Sequence, residues 1–264
     1  MDARPIGVFD SGVGGLTVMR SLIDLLPGES FVYFGDTART PYGPKPAGDV
    51  VKFTIEIAEL LSARDVKVMV DACNTSTAVA LDTLVERCEI PVIGVIEPGI
   101  RAARRATRSG RVGVVGTVGT IDSGAYERIA ADIAPELELV SAACPGFVEF
   151  VEAGDTDSHQ VHVLATRLLA PLITADVDTL VLGCTHYPLL ARTIGDVMGP
   201  HVVLVSSADE TAFAVRDLLD AEQRAPVGHV PTHDFLTSGS TDRFAELGAR
   251  FLGPEVASVQ GWQW

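Results

Sequence analysis

The sequence predicts an α/β protein with two similar lobes, each a mostly parallel sheet flanked by helices. Short apolar runs recur along the 264 residues, each followed by Gly, Ser, Thr or Asn and then by a helical pattern, which indicates repeated strand–helix units. The runs are continuously apolar, which is typical of strands covered by helices on both faces. Hydrophobic residues make up 47% of the chain and aromatic residues only 6%, a balance that favours strand–helix alternation over a β-sandwich.

Seven apolar runs are the predicted strands. They are residues 6–9, 31–34, 66–70, 92–96, 112–115, 180–182 and 202–205. After the seventh run the sequence has a helical pattern and then a final segment at residues 235–239. All are far shorter than the roughly 20 apolar residues of a membrane-spanning helix, so we expect no transmembrane segment.

Two breaks in this pattern predict the lobe boundaries. The first is at Pro98-Gly99, a breaker that ends the fourth strand, and the second is at Ser206-Ser207. The expected lobes are residues 1–96 with 207–264, and residues 97–206. Each contains one strand that runs into a small residue and then a cysteine, Cys73 or Cys184. This weak internal repeat predicts pseudo-twofold symmetry, with the active site between the lobes.

Charge and cysteine content exclude several classes of function. The net charge of −15 repels polyanions, so we expect neither sequence-independent nucleic-acid binding nor binding to an anionic membrane. The four cysteines include no short-spaced pair, which favours reduced thiols over a disulfide framework. The N-terminus lacks a basic segment followed by an apolar stretch, so we expect no secretion signal and a cytoplasmic protein.

Cys73 and Cys184 are the strongest candidates for chemistry. Ligands of open α/β sheets bind beyond the carboxyl ends of the strands, where both cysteines lie. A helix N-terminus favours negative charge, so we expect both thiols to ionise more easily than a free one. The polar residues that follow them could bind a carboxylate; they are Asn74, Thr75, Thr185 and His186.

Other interpretations of the cysteines stay open. Both could simply be small buried residues that fill the ends of strands. Cys88 and Cys144 lack the matched context, and we interpret them as structural. A zinc site that includes Cys184 and His186 is conceivable, but the close ligand pairs of such sites are missing.

Two loops of the first lobe carry further candidates. Asp10 and Ser11 follow the first strand, where the carboxylate could bind an ammonium group, accept a proton or cap the next helix. Tyr42 and Gly43 follow the second strand; the ring could close over a pocket or stand exposed on a Pro-Gly turn.

The second lobe supplies the remaining candidates. Thr117 and Thr120 could bind a substrate carboxylate or cap a helix. Glu152 and His186 could be auxiliary acid/base groups, or else a surface carboxylate and a capping donor.

Five blocks of the sequence resemble glutamate racemase, of the aspartate/glutamate racemase family. They are GVFDSGVGGLTV at 7–18, FGDTARTPYG at 34–43, DACNTSTA at 71–78, GTVGTIDSGAY at 116–126 and LGCTHYPLL at 182–190. The similarity extends from Ile6 to Ser238-Gly239, so it spans nearly the whole chain. Ser76 stands where the family often has Ala, and the segment 144–149 differs from a CPLFVP-like version.

The resemblance implies a two-lobed isomerase that interconverts L- and D-glutamate without pyridoxal phosphate, metal or nucleotide. Such an enzyme supplies D-glutamate for peptidoglycan, and so for the cell wall and cell shape. It implies that Cys73 and Cys184 are the two acid/base thiols, tuned by Asp10, Glu152 and His186. The implied substrate contacts are Asp10, Ser11, Tyr42, Gly43, Asn74, Thr75, Thr185 and His186, with Thr117 and Thr120 as further ones. A homodimer is also implied.

Two other functions remain as alternatives. The cysteine pair sets the reaction but not the side chain, so aspartate or another amino acid could be the substrate. The acidic surface could also imitate DNA and contact a topoisomerase such as gyrase, as an added binding function.

Overall fold

The computed structural model describes residues 1–220, 222–256 and 258–264, and within them ten strands form two sheets. The strands are β1 (Ile6–Asp10), β2 (Phe31–Gly35), β3 (Val68–Asp71), β4 (Val92–Gly94), β5 (Arg111–Gly116), β6 (Glu138–Ala143), β7 (Thr179–Gly183), β8 (Val203–Val205), β9 (His233–Thr237) and β10 (Val259–Gly261). The larger sheet has the order β10-β9-β2-β1-β3-β4, and the smaller one β6-β5-β7-β8. Neighbouring strands are parallel throughout, which confirms the predicted α/β class.

Helices follow most of the strands. They are α1 (Leu16–Leu25), α2 (Ala47–Ser62), α3 (Asn74–Arg87), α4 (Ile96–Ala106), α5 (Val118–Asp122), α6 (Ala125–Ile133), α7 (Phe147–Ala153), α8 (His159–Thr174), α9 (Ala191–Met198), α10 (Ala208–Leu218) and α11 (Thr241–Phe251), with a 3-10 helix at Tyr187–Leu190. Among the helices of the described residues, none has both the length and the apolar character that a membrane crossing requires.

Both faces of the larger sheet are covered. Val8 and Val70 pack into a core that includes residues of α1, α10 and α11. Phe9 and Met69 point the other way, into a core built with α2 and α3. The smaller sheet likewise has an apolar cluster on each face. Because the central strands are buried on both sides, they need apolar residues at successive positions, which explains the continuous runs in the sequence.

The structure corrects the prediction at the fourth strand and adds two strands. β4 ends at Gly94, and Pro98-Gly99 lies in the first turn of α4 instead of breaking the chain. Proline is tolerated there because its missing N–H would have no partner within the helix. β6 and β10 were not predicted. Each is an edge strand; most residues of β6 are only partly buried and two of the three residues of β10 are exposed, so an apolar run is not required.

We propose that the lobes divide at the expected boundaries, giving residues 1–96 with 207–264 and residues 97–206. Ile100 of α4 packs in the same cluster as Val114 and Val181 of the smaller sheet. Val215 of α10 packs with Leu22 of α1 against the larger sheet. The helix that begins at each boundary therefore packs on the lobe to which the proposal assigns it.

Candidate active site

Cys73 lies where β3 passes into α3. It is the residue before the first turn of α3, and its carbonyl accepts a hydrogen bond from the backbone N–H of Thr77 at 2.9 Å. Its own N–H donates to Oδ1 of Asp71 at 3.2 Å, and its thiol donates to the hydroxyl of Ser11 at 3.6 Å. The side chain is buried. The predicted position at a helix N-terminus is therefore correct for Cys73.

Cys184 follows β7 but does not precede an α-helix directly. The backbone N–H of Tyr187 donates to the carbonyl of Cys184 at 3.1 Å, and a 3-10 helix then leads into α9 at Ala191. The expected α-helix N-terminus is therefore wrong for Cys184, because a tight turn occupies that position. The polar group beside its sulfur is Nδ1 of His186, at 4.0 Å.

Asp10 connects the loop after β1 to the Cys184 loop. Its Oδ2 accepts from the backbone N–H of Gly12 at 2.9 Å, and its Oδ1 accepts from the hydroxyl of Thr185 at 3.5 Å. α1 begins only at Leu16, so the alternative that Asp10 caps this helix is wrong. Asp10 is 1% exposed. This carboxyl therefore faces the second lobe from the end of β1.

Gly14 permits the close approach of the loop after β1 to the Cys184 loop. A Cβ atom at Gly14 would lie 2.2 Å from Oγ1 of Thr185 and 2.5 Å from Nδ1 of His186. Real Cβ atoms essentially never come that close to such atoms, so any side chain at this position would move the loops apart.

Three threonine hydroxyls join the lobes near Cys73. Oγ1 of Thr75 lies 3.0 Å from that of Thr117 and 3.2 Å from that of Thr120. Close by, the backbone N–H of Gly119 donates to the carbonyl of Gly43 at 2.8 Å. Thr117 also caps α5, because its hydroxyl accepts from the N–H of Thr120. Helix capping, one of the two alternatives stated from the sequence, is therefore present for Thr117, and the contact with Thr75 is an additional finding.

Tyr42 and Asn74 complete the region around Cys73. Tyr42 is 2% exposed and packs with Val50 and Cys73, so the alternative of an exposed ring is wrong. Its hydroxyl donates to Oδ2 of Asp36 at 2.5 Å. The side-chain carbonyl of Asn74 accepts from the hydroxyl of Tyr126 at 2.8 Å, which leaves its amide group available to a ligand.

Glu152 and His186 form a pair beside Cys184. Oε1 of Glu152, on α7, lies 3.3 Å from Nε2 of His186, and its Oε2 lies 3.7 Å from a guanidinium nitrogen of Arg243. The imidazole packs edge-on against Phe251 with ring centroids 5.4 Å apart. Arg243 and Phe251 belong to α11, near the C-terminus. Residues of α11 therefore contact both members of the Glu152–His186 pair, which the second lobe supplies. The alternative of an isolated surface carboxylate is wrong for Glu152.

Two clefts flank the buried cysteines. One of about 270 Å³ lies beside Glu152, and its lining includes Val13 and Arg243. The other, of about 300 Å³, lies beside the threonine cluster, and its lining includes Lys45 and Thr75. Both cysteines are themselves buried.

Comparison with known proteins identifies the family. The family model described as Asp/Glu/hydantoin racemase matches residues 6–215. A protein of Parafrankia sp. named glutamate racemase is 53% identical over 261 residues, which cover 98% of this chain and 94% of that protein. The chain belongs to the Asp/Glu/hydantoin racemase family.

Solved structures agree with this assignment. The structure of glutamate racemase isoform RacE1 of Bacillus anthracis is similar to this one, with a TM-score of 0.95 at 42% sequence identity. The superposition covers 100% of this chain and 98% of the Bacillus chain. Glutamate racemase of Francisella tularensis, crystallised with D-glutamate, covers the same shares with a TM-score of 0.92 at 34% identity. The resemblance of the five sequence blocks is therefore confirmed, and with it the assignment to the isomerases.

The ionisable groups of the racemase have strongly shifted pKa values. Burial raises the pKa of Asp10, although His186 opposes this shift. Burial alone would lower the pKa of His186, but its hydrogen bonds to Cys184 and Glu152 outweigh that effect and raise the pKa to about 10. His186 is therefore a cation at neutral pH, next to the sulfur of Cys184.

The electrostatics of Cys73 differ from the prediction. Burial raises the pKa of its thiol to about 12, and the carboxyls of Asp10 and Asp71 add to the shift. The expectation that this thiol ionises more easily than a free one is therefore wrong. The partial positive charge of the helix N-terminus lowers the pKa of the thiol, but the loss of water and the two nearby acids raise it by more.

Within the described residues, no group of three or more His, Cys, Asp or Glu side chains has the arrangement of a metal site.

Sequence reasoning missed three residues around the racemase pocket. Asp71 directly follows an apolar run, a placement that could have marked it as a buried acid. Asp36, in the FGDTARTPYG block, accepts from Tyr42, but no pattern predicts that contact. Arg243 lies on an exposed helix face and carries no recognisable signal.

Proposed function

We propose that this racemase interconverts L- and D-glutamate, with Cys73 and Cys184 exchanging a proton with opposite faces of the substrate Cα. One observation carries the proposal: each proposed lobe contributes one buried cysteine after a parallel strand, and Asp10, whose carboxyl raises the pKa of Cys73, accepts a hydrogen bond from Thr185 beside Cys184. Inversion of a carbon centre needs one acid/base group on each face, and two facing lobes can supply them.

The reaction balances as two proton transfers. One cysteine, as thiolate, takes the proton from Cα and becomes a thiol, while the electron pair left on Cα is delocalised into the substrate carboxylate. The other cysteine, as thiol, gives its proton to the opposite face and becomes the thiolate. The reverse direction uses the same groups with exchanged roles, so each must serve as acid and as base.

The polar groups beside each sulfur suit the charge that develops on the substrate. Negative charge on the carboxylate grows as the Cα proton leaves, and fixed donors that already point at it lower the barrier. We assign this role to the amide of Asn74 and the hydroxyls of Thr75 and Thr185. Thr117 and Thr120 extend the hydroxyl cluster of Thr75, and Gly43 borders it. Ser11 and Tyr42 contact Cys73.

The charges around the pocket suit an amino-acid zwitterion. The carboxyl of Asp10 has no cation among its hydrogen-bond partners and could receive the substrate ammonium group. The cationic His186, held by Glu152, stabilises a thiolate at Cys184. The ammonium group would also offset the acids that disfavour a thiolate at Cys73.

The choice of glutamate rests on the relatives. Proteins about half identical to this chain over nearly its full length are named glutamate racemases, and a structural neighbour was crystallised with D-glutamate. We further propose that the D-glutamate formed supplies peptidoglycan synthesis in the cytoplasm.

The test is exchange at Cα followed by NMR and circular dichroism, with L-glutamate and enzyme in D₂O and no added cofactor. The two-thiol mechanism predicts that D-glutamate gains deuterium from its first appearance, while the remaining L-glutamate stays protonated early in the reaction. Deuterium in both enantiomers from the start would instead indicate a single base. Turnover of aspartate but not of glutamate would overturn the substrate assignment.

Single substitutions test the two thiols. Cys73→Ala and Cys184→Ala should each lower racemisation by roughly 1,000-fold or more, because the return proton is then missing. Cys88→Ala is the matched control, since Cys88 lies at the far end of α3 and should leave the rate unchanged. Near-normal turnover in either of the first two variants would overturn the mechanism.

A further inference from the structure

A buried carboxyl lies directly beneath Cys73. Asp71 is the last residue of β3 and is 0% exposed. Its Oδ1 accepts from the hydroxyl of Ser76 at 2.5 Å and from the backbone N–H of Cys73 at 3.2 Å. The side chain therefore contacts both the residue that carries the thiol and the first turn of α3.

The second oxygen of Asp71 is unusual. Oδ2 is buried, and no atom of the described residues forms a hydrogen bond with it. Buried polar atoms are nearly always paired, and an ionised carboxylate with one bare oxygen in an apolar layer is costly. A proton on the carboxyl removes the charge and with it most of this cost.

The surroundings of Asp71 contain little that could stabilise its charge. The ionisable groups that bear on it are Asp10, on the adjacent strand β1, and the thiol of Cys73. Among the described residues, the buried face of α2 and the whole of β4 carry no ionisable side chain, and α3 contributes hydroxyl groups. The charged neighbour is thus an acid, which disfavours a second negative charge.

We infer that Asp71 is a positioning residue that stays a neutral acid at neutral pH and that, by ionising in mildly alkaline solution, suppresses the thiolate of Cys73. The inference rests on the proposed function, in which Cys73 exchanges the proton of Cα. Asp71 acts through Cys73: it fixes the backbone of that residue at all pH values and opposes its thiolate only when charged.

The pKa of Asp71 agrees with this geometry. Burial raises it to about 8; the hydroxyls of Ser76 and Thr77 and the N–H of Cys73 limit the rise, and Asp10 adds to it. The carboxyl is therefore mostly protonated at pH 7 and mostly ionised at pH 9. The proton is lost within the range where an amino-acid racemase can be assayed.

The hydroxyl of Ser76 influences the pH at which Asp71 ionises. This hydroxyl donates to Asp71 and so stabilises the ionised form. Removal of the hydroxyl should keep Asp71 neutral to a higher pH, whereas an amide at position 71 should abolish the transition.

The experiment measures kcat/KM against pH, from 6 to 10, for the wild type, Asp71→Asn and Ser76→Ala. Wild-type kcat/KM should fall above about pH 8. In Asp71→Asn this step should be absent, so that only the decline near pH 10 from His186 and the substrate ammonium remains. In Ser76→Ala the step should move upward in pH. Asp24→Asn, a change on an exposed face of α1, is the control for loss of one acid.

A second readout does not depend on turnover. In a Cys184→Ala background, alkylation of Cys73 by iodoacetamide is followed by mass spectrometry at each pH. Asp71→Asn should speed alkylation at pH 9 by about tenfold, the equivalent of one pKa unit, with little change at pH 6.5. Cys88 serves as an internal reference for reagent reactivity.

The outcomes separate the two proposals. Superimposable kcat/KM and alkylation profiles in wild type, Asp71→Asn and Ser76→Ala would overturn the role of Asp71. If Asp71→Asn does not fold, the upward shift in Ser76→Ala decides the question. Should Cys73→Ala keep its racemase activity, the proposed function fails, while the alkylation profile still reports whether Asp71 controls the thiol.

Discussion

Nδ1 of His186 lies 4.0 Å from the sulfur of Cys184, and Nε2 of the same ring lies 3.3 Å from Oε1 of Glu152. The imidazole therefore bridges a thiol and a carboxylate within the second lobe. Cys73 has different surroundings, with the hydroxyl of Ser11 at its sulfur and the carboxyl of Asp71 at its backbone N–H. The two thiols that we propose as acid/base groups thus have unlike neighbours, and substitutions should affect them differently.

Glu152→Gln should lower kcat by roughly 10- to 100-fold, since the loss of a charge-assisted hydrogen bond costs about 1.5–3 kcal/mol. Without the carboxylate the pKa of His186 falls, and the ring loses its cationic form at a lower pH. The matched control is Glu149→Gln, an exposed residue on the same helix. Wild-type kcat and pH dependence in Glu152→Gln would contradict the proposed role of the pair.

The stability of the enzyme should fall between neutral and alkaline pH through His186. Its pKa in the folded protein is about 10, against about 6.5 in an unfolded chain. A folded-state pKa above the unfolded value gives stability that is complete below pH 6.5 and is lost as the pH rises towards 10.

Urea unfolding at pH 6.5 and pH 9 measures this effect. The wild type should lose more free energy of unfolding between these pH values than His186→Gln does. His159→Gln, an exposed residue of α8, should behave as the wild type. An equal loss in wild type and His186→Gln would exclude the linkage.

Gly14→Ala should lower kcat/KM by roughly 100-fold or more, because a displacement of about 1 Å at a catalytic group has effects of that size. The new Cβ would lie 2.2 Å from Oγ1 of Thr185, so the Cys184 loop must shift. Gly48→Ala is the control, since no atom lies within 4 Å of a Cβ at that position. Steady-state kinetics with both enantiomers provides the measurement, and unchanged kinetics in Gly14→Ala would show that the loops tolerate separation.

Thr75→Val should lower kcat/KM by roughly tenfold, as expected for the loss of one hydrogen bond to a charged substrate group. The same change removes the interlobe contacts of its hydroxyl with Thr117 and Thr120. Thr166→Val, on an exposed part of α8, is the control for replacing a hydroxyl by a methyl group. If the two variants have equal kcat/KM, Thr75 does not contact the substrate.

Local sequence patterns were enough to predict the strand–helix units and the position of both cysteines at strand ends. Apolar runs and polar residues after them depend on a few neighbouring positions, so they can be recognised without the fold. Where burial is partial, as in β6, the pattern is weak and the strand was not predicted. The same limit applies to Cys184, whose tight turn replaces the expected α-helix N-terminus.

The sequence by itself thus determined the α/β class, the parallel sheets and the candidate residues of the site. Only the tertiary structure decided which of them meet: Asp10 with Thr185, Glu152 with Arg243, and Asp71 with the backbone of Cys73. It also decided the charge states, because a pKa depends on the water excluded and the charges nearby in space. Contacts between residues far apart in the chain leave no local signal, and so the electrostatics of the two thiols followed from the fold alone.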